Sequence, residues 1–231
     1  MFSQAFLAVT GPELRNITPK RTAYMACRFS PSGVGLVNLP ESLPPESLIL
    51  LDDSMQIDRH QPEVVINQLG EMAERFSPVG VLLDFQRPVT QKALEMAEAI
   101  CMALPCPVAA SEDYAWALGC AVFLSACPVN VALEKYLQPW KQGIYLEIAP
   151  SRMQIAVTEN GASTVCLPAG ETESLAFYDE GLCCHYRTEI FPNRAVFTLQ
   201  RSREDLERLI EKAKDFRVVA TVGLYQELIN I

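Results

Sequence analysis

From residue 48 onward the sequence alternates short, continuous apolar runs with longer segments whose apolar residues recur every three or four positions. Leu48-Ile49-Leu50-Leu51 ends at Asp52-Asp53, as a strand buried on both faces does. Pro62 then opens a segment in which Val65, Leu69, Met72, Ala73 and Phe76 form one helical stripe, with Glu63, Glu71, Glu74 and Arg75 outside it. Ser77-Pro78 stops that helix, and Val79 to Phe85 reads as the next strand. A second helix is predicted from about Thr90 to Leu104, with Ala93, Leu94, Ala97, Cys101 and Leu104 on its apolar face.

The rhythm continues to the end of the chain. Tyr114 to Leu118 fits a short helix, Ala121 to Leu124 a strand and Val129 to Leu137 a helix, followed by a strand from Gly143 to Ala149. Met153 to Thr158 and Ser163 to Leu167 flank Asn160-Gly161, which signals a β-hairpin. Ala195 to Leu199 reads as a strand, and Ser202 with Asp205 forms a capping box that starts an amphipathic helix. Val218 to Val222 is the last strand, with Leu224 to Ile229 as a closing helical turn.

Counting Phe6 to Thr10, eight strands begin near residues 6, 48, 79, 108, 121, 144, 195 and 218. Eight βα steps imply an α/β fold of the TIM-like (β/α)8 barrel type, with an open doubly wound sheet as the alternative. At 231 residues the chain is short for such a barrel, for which roughly 250 is typical, so something must be abbreviated. The stretch from Gly11 to Glu46, interrupted by Pro12, Pro19, Pro31, Pro40, Pro44 and Pro45, cannot carry a long first helix. It is expected to be irregular, with a hairpin using Ala23 to Cys27. No repeat or low-complexity linker divides residues 1–231, so a single barrel-like domain with a hairpin extension at about 153–167 is expected.

Composition narrows the function classes. The chain is 49% hydrophobic, which supports a large core and excludes disorder. Nineteen Lys and Arg against 28 Asp and Glu give a net charge of −9, unsuited to nucleic acid or an anionic membrane. The stretch from Arg201 to Lys214 is laced with acids and reads as a solvated helix face. Eight cysteines include no C-x-x-C pair, and Cys101, Cys106, Cys120 and Cys127 sit in or beside apolar runs, as buried thiols do. Cys183-Cys184-His185 lacks convergent partners for a metal, because neighbours on a strand face opposite ways and the other histidine is His60. No G-x-S-x-G elbow accompanies either histidine, so neither a serine nor a cysteine triad is expected. No metal or cofactor is implied. The N-terminal residues read as a strand and not a signal peptide, and no run of 18 apolar residues occurs, so a cytoplasmic location is expected.

In a barrel the functional groups sit where strands end and the following loops begin. Those positions carry Asp52 and Asp53, then Asp84, Gln86 and Arg87, then Glu112 and Asp113, then Glu147, and finally Tyr225, Gln226 and Glu227. Gln200 and Arg201 would follow the seventh strand, and Trp116, Trp140 and Tyr225 offer stacking faces. Acids, amides and aromatic rings suit a neutral saccharide or polyol. Without a glycine-rich loop and with few cations, the set does not suit phosphate.

Gly80-Val81-Leu82-Leu83-Asp84-Phe85-Gln86-Arg87-Pro88 resembles the strand signature of the chitinase-like glycoside hydrolases of family 18. That signature is a glycine-led apolar strand with alternating aspartates, an aromatic residue and a catalytic glutamate. The resemblance implies a barrel fold and places the family's last aspartate on Asp84, its aromatic on Phe85 and its acid–base glutamate on Gln86. The two earlier aspartates fall on Val79 and Leu82. Asp84 and Gln86 share a parity with Leu82 and so can face one side of the strand.

The departures bear on chemistry. Glycoside hydrolysis needs a carboxylic acid to protonate the leaving oxygen, and an amide at residue 86 has no titratable proton. The expected function is therefore a catalytically degenerate barrel that binds a saccharide or polyol. One alternative is an active hydrolase with a displaced pair, Glu147 with Asp84 or Asp52. Another is a structural or protein-interaction domain.

Overall fold

The computed structural model describes residues 5–16, 21–168 and 176–229. Strands β1 (Phe6–Val9), β2 (Thr22–Phe29), β4 (Leu48–Asp52), β5 (Gly80–Asp84), β6 (Val108–Ser111), β7 (Ala121–Leu124), β8 (Ile144–Glu147) and β14 (Val218–Leu224) run parallel. Their order is β1-β14-β8-β7-β6-β5-β4-β2, and β2 returns to β1, so the sheet closes into an eight-stranded barrel. A two-residue strand, β3 (Leu36–Val37), pairs antiparallel with the end of β2.

Two strand assignments differ from the sequence reading. Ala23 to Cys27 is not half of a hairpin: it belongs to β2, the second stave, whose Ala23 lies opposite both Ala8 of β1 and Leu48 of β4. The connection that follows it, residues 30–47, lacks the helix that would have revealed a βα step. Conversely, the strand at Ala195 is not a stave. It is β13 (Arg194–Arg201), held antiparallel between β9 (Ser151–Thr158) and β12 (Cys184–Phe191). With β10 (Gly161–Leu167) and β11 (Phe177–Asp179) these strands form a second, five-stranded sheet inserted between β8 and β14. The hairpin expected at 153–167 is the β9–β10 part of that sheet. An apolar run followed by a capping box mimics a βα step, although pairing of β13 is antiparallel. The strand bearing Asp84 is consequently the fourth stave of the barrel and not the third.

The helices show what a short barrel gives up. α2 (Pro62–Phe76) and α3 (Gln91–Ala103) are full length, and Thr90 caps α3 by accepting the Ala93 amide at 3.1 Å. α1 (Gly11–Asn16), α4 (Glu112–Leu118), α5 (Leu133–Leu137) and α7 (Tyr225–Ile229) are one or two turns each. α5 is shorter than the predicted 129–137 because Val129 instead packs against Cys184 and Leu199 of the second sheet. α6 (Arg203–Ala213) begins at the Ser202–Asp205 capping box. Chain length that would have extended these helices is spent on the inserted sheet.

Three apolar clusters hold the layers together. α2 and α3 bury Val65, Leu69, Met96 and Ile100 against the outward residues of β4 and β5, Ile49, Leu51, Val81 and Leu83. α5, α6 and α7 cover the β7, β8 and β1 side with Leu133, Leu206, Leu209 and Leu228. The barrel interior is filled by Phe6, Leu48, Leu50, Leu82, Phe123, Tyr145 and Val222. Gly80 sits low in this interior, where an added Cβ would lie 3.2 Å from the Tyr145 hydroxyl and 3.2 Å from the Pro107 carbonyl.

Candidate functional site at the barrel mouth

Above the apolar interior is a cavity of about 410 Å³. Its polar wall is Asp84, Gln86, Ser125 and Glu147, and its apolar wall includes Met25, Leu50, Phe123 and Val222. The polar groups arrive there by strand parity. On β5, Leu82 points into the interior and is fully buried, so Asp84, two residues further on, points the same way at the mouth. On β8, Tyr145 is interior and Glu147 follows at the mouth.

Gln86 donates a hydrogen bond from its carboxamide nitrogen to Asp84 Oδ1 at 2.5 Å. Burial raises the Asp84 pKa; the Gln86 amide partly offsets this, and the nearby Asp52 and Asp53 carboxylates add to the rise. Burial likewise raises Glu147, against a stabilising 3.3 Å hydrogen bond from the Ala126 amide, with Asp84 and Glu227 adding like-charge repulsion. Two carboxyl groups thus share one cavity and each disfavours the other's ionisation. Where the resemblance would put a second inward acid beneath Asp84, Leu82 supplies hydrocarbon. Val79 lies ahead of the strand and is 38% exposed.

The structure sorts the remaining strand-end residues. Asp52 is in register with Asp84 across the β4–β5 pair and accepts the Ser54 amide, without lining the cavity. Asp53 is buried and accepts the amides of Gln86 at 2.9 Å and Arg87 at 3.0 Å, so it shapes the loop beneath the site. Arg87 turns away from the mouth and donates to the Ser54 carbonyl at 2.5 Å. Glu112 and Asp113 form the exposed first turn of α4, and Glu112 stands beside the Tyr136 phenol. Glu227 acts on the site only through its field at Glu147, while Tyr225 packs against the outer cluster under α6 and α7. Gln226 donates to Glu13 at 2.6 Å.

The expected aromatic platform is not at this cavity. Trp116 and Trp140 stack on each other, 4.9 Å between ring centres, away from the cavity wall. Gln200 and Arg201 belong to the inserted sheet. Arg201 is buried and donates to the carbonyls of Cys127 at 2.5 Å, Leu182 at 2.6 Å and Cys183 at 3.3 Å. His185 pairs with the buried Asp205 at 2.9 Å, and no group of three or more metal-ligating side chains occurs among the described residues. Among the described residues, no helix is long and apolar enough to cross a membrane. Sequence reasoning missed Met25, Phe123 and Ser125. The parity of Phe123 and Ser125 on the sixth stave would have indicated them, whereas Met25 was hidden by the misread second stave.

Comparison with solved structures agrees with this geometry. The family 18 chitinase of Cycas revoluta, solved in complex with (GlcNAc)3, superimposes with a TM-score of 0.59 at 12% identity, over 98% of this chain and 96% of that one. The chain has the fold of the family 18 glycoside hydrolase barrels. The chitinase-like agglutinin RobpsCRA of Robinia pseudoacacia gives a TM-score of 0.57 at 11% identity, covering 96% of this chain and 94% of that one. The Bacillus cereus spore cortex-lytic enzyme SleL gives 0.56 at 10% identity, with 95% of this chain matched to 70% of that chain. No protein-family model matches the sequence, and no curated relative does.

Proposed function

We propose that the barrel mouth binds a saccharide or similar polyol and does not hydrolyse it by the acid–base mechanism of the chitinase-like family. The observation that carries this reading is the amide of Gln86 bonded to Asp84 at 2.5 Å on the cavity wall. An amide in the position matched to the acid–base glutamate holds a hydroxyl or an acetal oxygen by hydrogen bonding but has no proton to transfer to a leaving group. Asp84, Glu147 and Ser125 supply acceptors and a hydroxyl, and Met25, Leu50 and Phe123 supply apolar surface for the ring faces of a sugar. A fold shared with both a chitinase and a chitinase-like agglutinin is compatible with retention of binding after loss of turnover. We place this role in a reducing, cytoplasmic setting, as the sequence suggests, with Cys101, Cys106, Cys120 and Cys127 in or beside apolar runs and no C-x-x-C pair.

A glycan array followed by calorimetry on wild type and Asp84→Ala tests the proposal. Saturable binding by wild type, weakened at least tenfold in Asp84→Ala while the melting temperature changes little, is the expected result. Absence of any glycan ligand retires it.

A second reading rests on Glu147. Burial and the nearby Asp84 carboxyl raise its pKa, as a general acid requires, and Asp84 shares its cavity as the second carboxyl of the pair. Under this reading, wild type releases product from chromogenic glycosides and Glu147→Gln does not.

A further inference from the structure

A second cavity, of about 240 Å³, lies on the other side of the turn that follows β5. It is walled by the 3-10 turn Ile57–Arg59, the loop leading into α3 and the side chain of Tyr114 from α4. Nothing in the barrel-mouth proposal uses it, and the two stand or fall separately.

Tyr114 is the informative group. The residue is 1% exposed, its ring meets Phe85 edge to face at 5.3 Å, and its hydroxyl has no hydrogen-bond partner in the protein. A buried hydroxyl left unpaired is unfavourable, because it has given up its hydrogen bonds to water without replacement. The charged groups that line the cavity are unbalanced in sign, with Lys92 outside the lining and donating to the Asp58 carbonyl at 3.4 Å. Asp53 and Asp58 contribute two carboxylates to the wall against one guanidinium, Arg87, which already serves the Ser54 carbonyl. Asp53 has spent one lone pair of each oxygen on the Gln86 and Arg87 amides, and Asp58 Oδ1 accepts the Thr90 hydroxyl at 2.9 Å. Burial raises the phenol to about 12, with Asp53, Asp58 and Asp113 reinforcing the shift, so the field at the hydroxyl is negative. The rest of the wall includes the hydrocarbon of Ile57, Pro88 and Ala93.

We propose that this cavity binds a small primary ammonium compound, whose N–H groups reach the Tyr114 oxygen and the Asp53 and Asp58 carboxylates and whose short alkyl part rests on Ile57, Pro88 and Ala93. A cation answers the sign of the field, and an ammonium can donate to the Asp53 and Asp58 carboxylates and to a lone pair of the Tyr114 oxygen. An anion would meet two carboxylates. The volume is below the roughly 300 Å³ at which pockets for drug-sized ligands begin, so the ligand is a few heavy atoms long.

Calorimetric titration of the full chain with ethanolamine tests the assignment, with ethylene glycol and inorganic phosphate as probes of the same size but different charge. The expected result is saturable binding of ethanolamine, at least tenfold weaker binding of ethylene glycol and none of phosphate. Tyr114→Phe keeps the ring against Phe85 and removes only the oxygen, so it should fold and bind ethanolamine at least tenfold more weakly. Asp58→Asn should weaken it similarly, and circular dichroism of each variant separates lost binding from lost fold. Binding unchanged in Tyr114→Phe, equal affinity for ethylene glycol, or no saturation in wild type would each overturn the proposal; the last result would leave a water-filled cavity.

Discussion

The buried carboxylate of Asp53, on the turn after β4, accepts the backbone amides of both Gln86 and Arg87 beyond the neighbouring stave, at 2.9 and 3.0 Å. A side chain from one βα loop thereby fixes the loop that presents Gln86 to the mouth. Hydrogen bonds to a charged acceptor contribute about 1.5–3 kcal/mol each, and both amides would be stranded without it. Asp53→Ala is expected to lower unfolding stability by about 3 kcal/mol in urea titration. Asp53→Asn, which keeps one acceptor oxygen, should lose less. Equal stability of Asp53→Ala and wild type would contradict the structural role.

The pH dependence of stability should carry the signature of the mouth. Asp84 and Glu147 both have pKa values raised, chiefly by burial. In the window between the ordinary carboxylate pKa and the raised folded value, the folded state holds more protons than the unfolded state. Stability therefore falls as pH rises through that window. Asp84→Asn and Glu147→Gln each remove a titrating group, so melting temperature measured from about pH 4 to 7, starting near the ordinary carboxylate pKa, should fall less steeply than in wild type. A slope identical in all three proteins would show that these carboxyls ionise freely.

Gln86→Glu restores a carboxyl but not the inward acids that would tune it, because Leu82 is hydrocarbon within the barrel and Val79 lies ahead of the strand. The new group would lose the amide donation to Asp84 and place a second carboxylate beside it. The variant should show no hydrolysis of chitin oligosaccharides above background and a melting temperature lower than wild type at neutral pH, recovering as pH falls. Substantial turnover by the single variant would mean that the family acid works here without its ladder.

Arg201 ties the inserted sheet to the barrel by donating to the carbonyls of Cys127, Leu182 and Cys183, all from a fully buried position. Arg201→Met keeps most of the volume and strands three acceptors, each costing about 1–3 kcal/mol when unsatisfied. Chemical denaturation should show a loss of about 4 kcal/mol, and hydrogen exchange should quicken first in the strands of the second sheet. A loss under about 1 kcal/mol would mean that the sheet is held by its apolar base alone.

The βα rhythm, the acids that end the staves and the amide at residue 86 were all legible in the sequence, because each is a local pattern. Strand parity alone placed Asp84 and Gln86 on one face, and the Ser202–Asp205 capping box was read residue for residue. What tertiary structure decided was which apolar runs become staves. Thr22–Phe29 and Arg194–Arg201 are both short, apolar-rich strands, and only long-range pairing makes the first a barrel stave and the second an antiparallel insert. The same holds for the site. Asp52 and Asp53 are neighbours in the chain, yet register sets one beside Asp84 and the other under the Gln86 loop. Met25 meets Glu147 at one cavity only because β2 and β8 belong to a closed sheet. Periodicity is written over a few residues and survives in a sequence. Closure is a sum of pairings between distant segments, and the energy of those pairings exists only once the chain has folded.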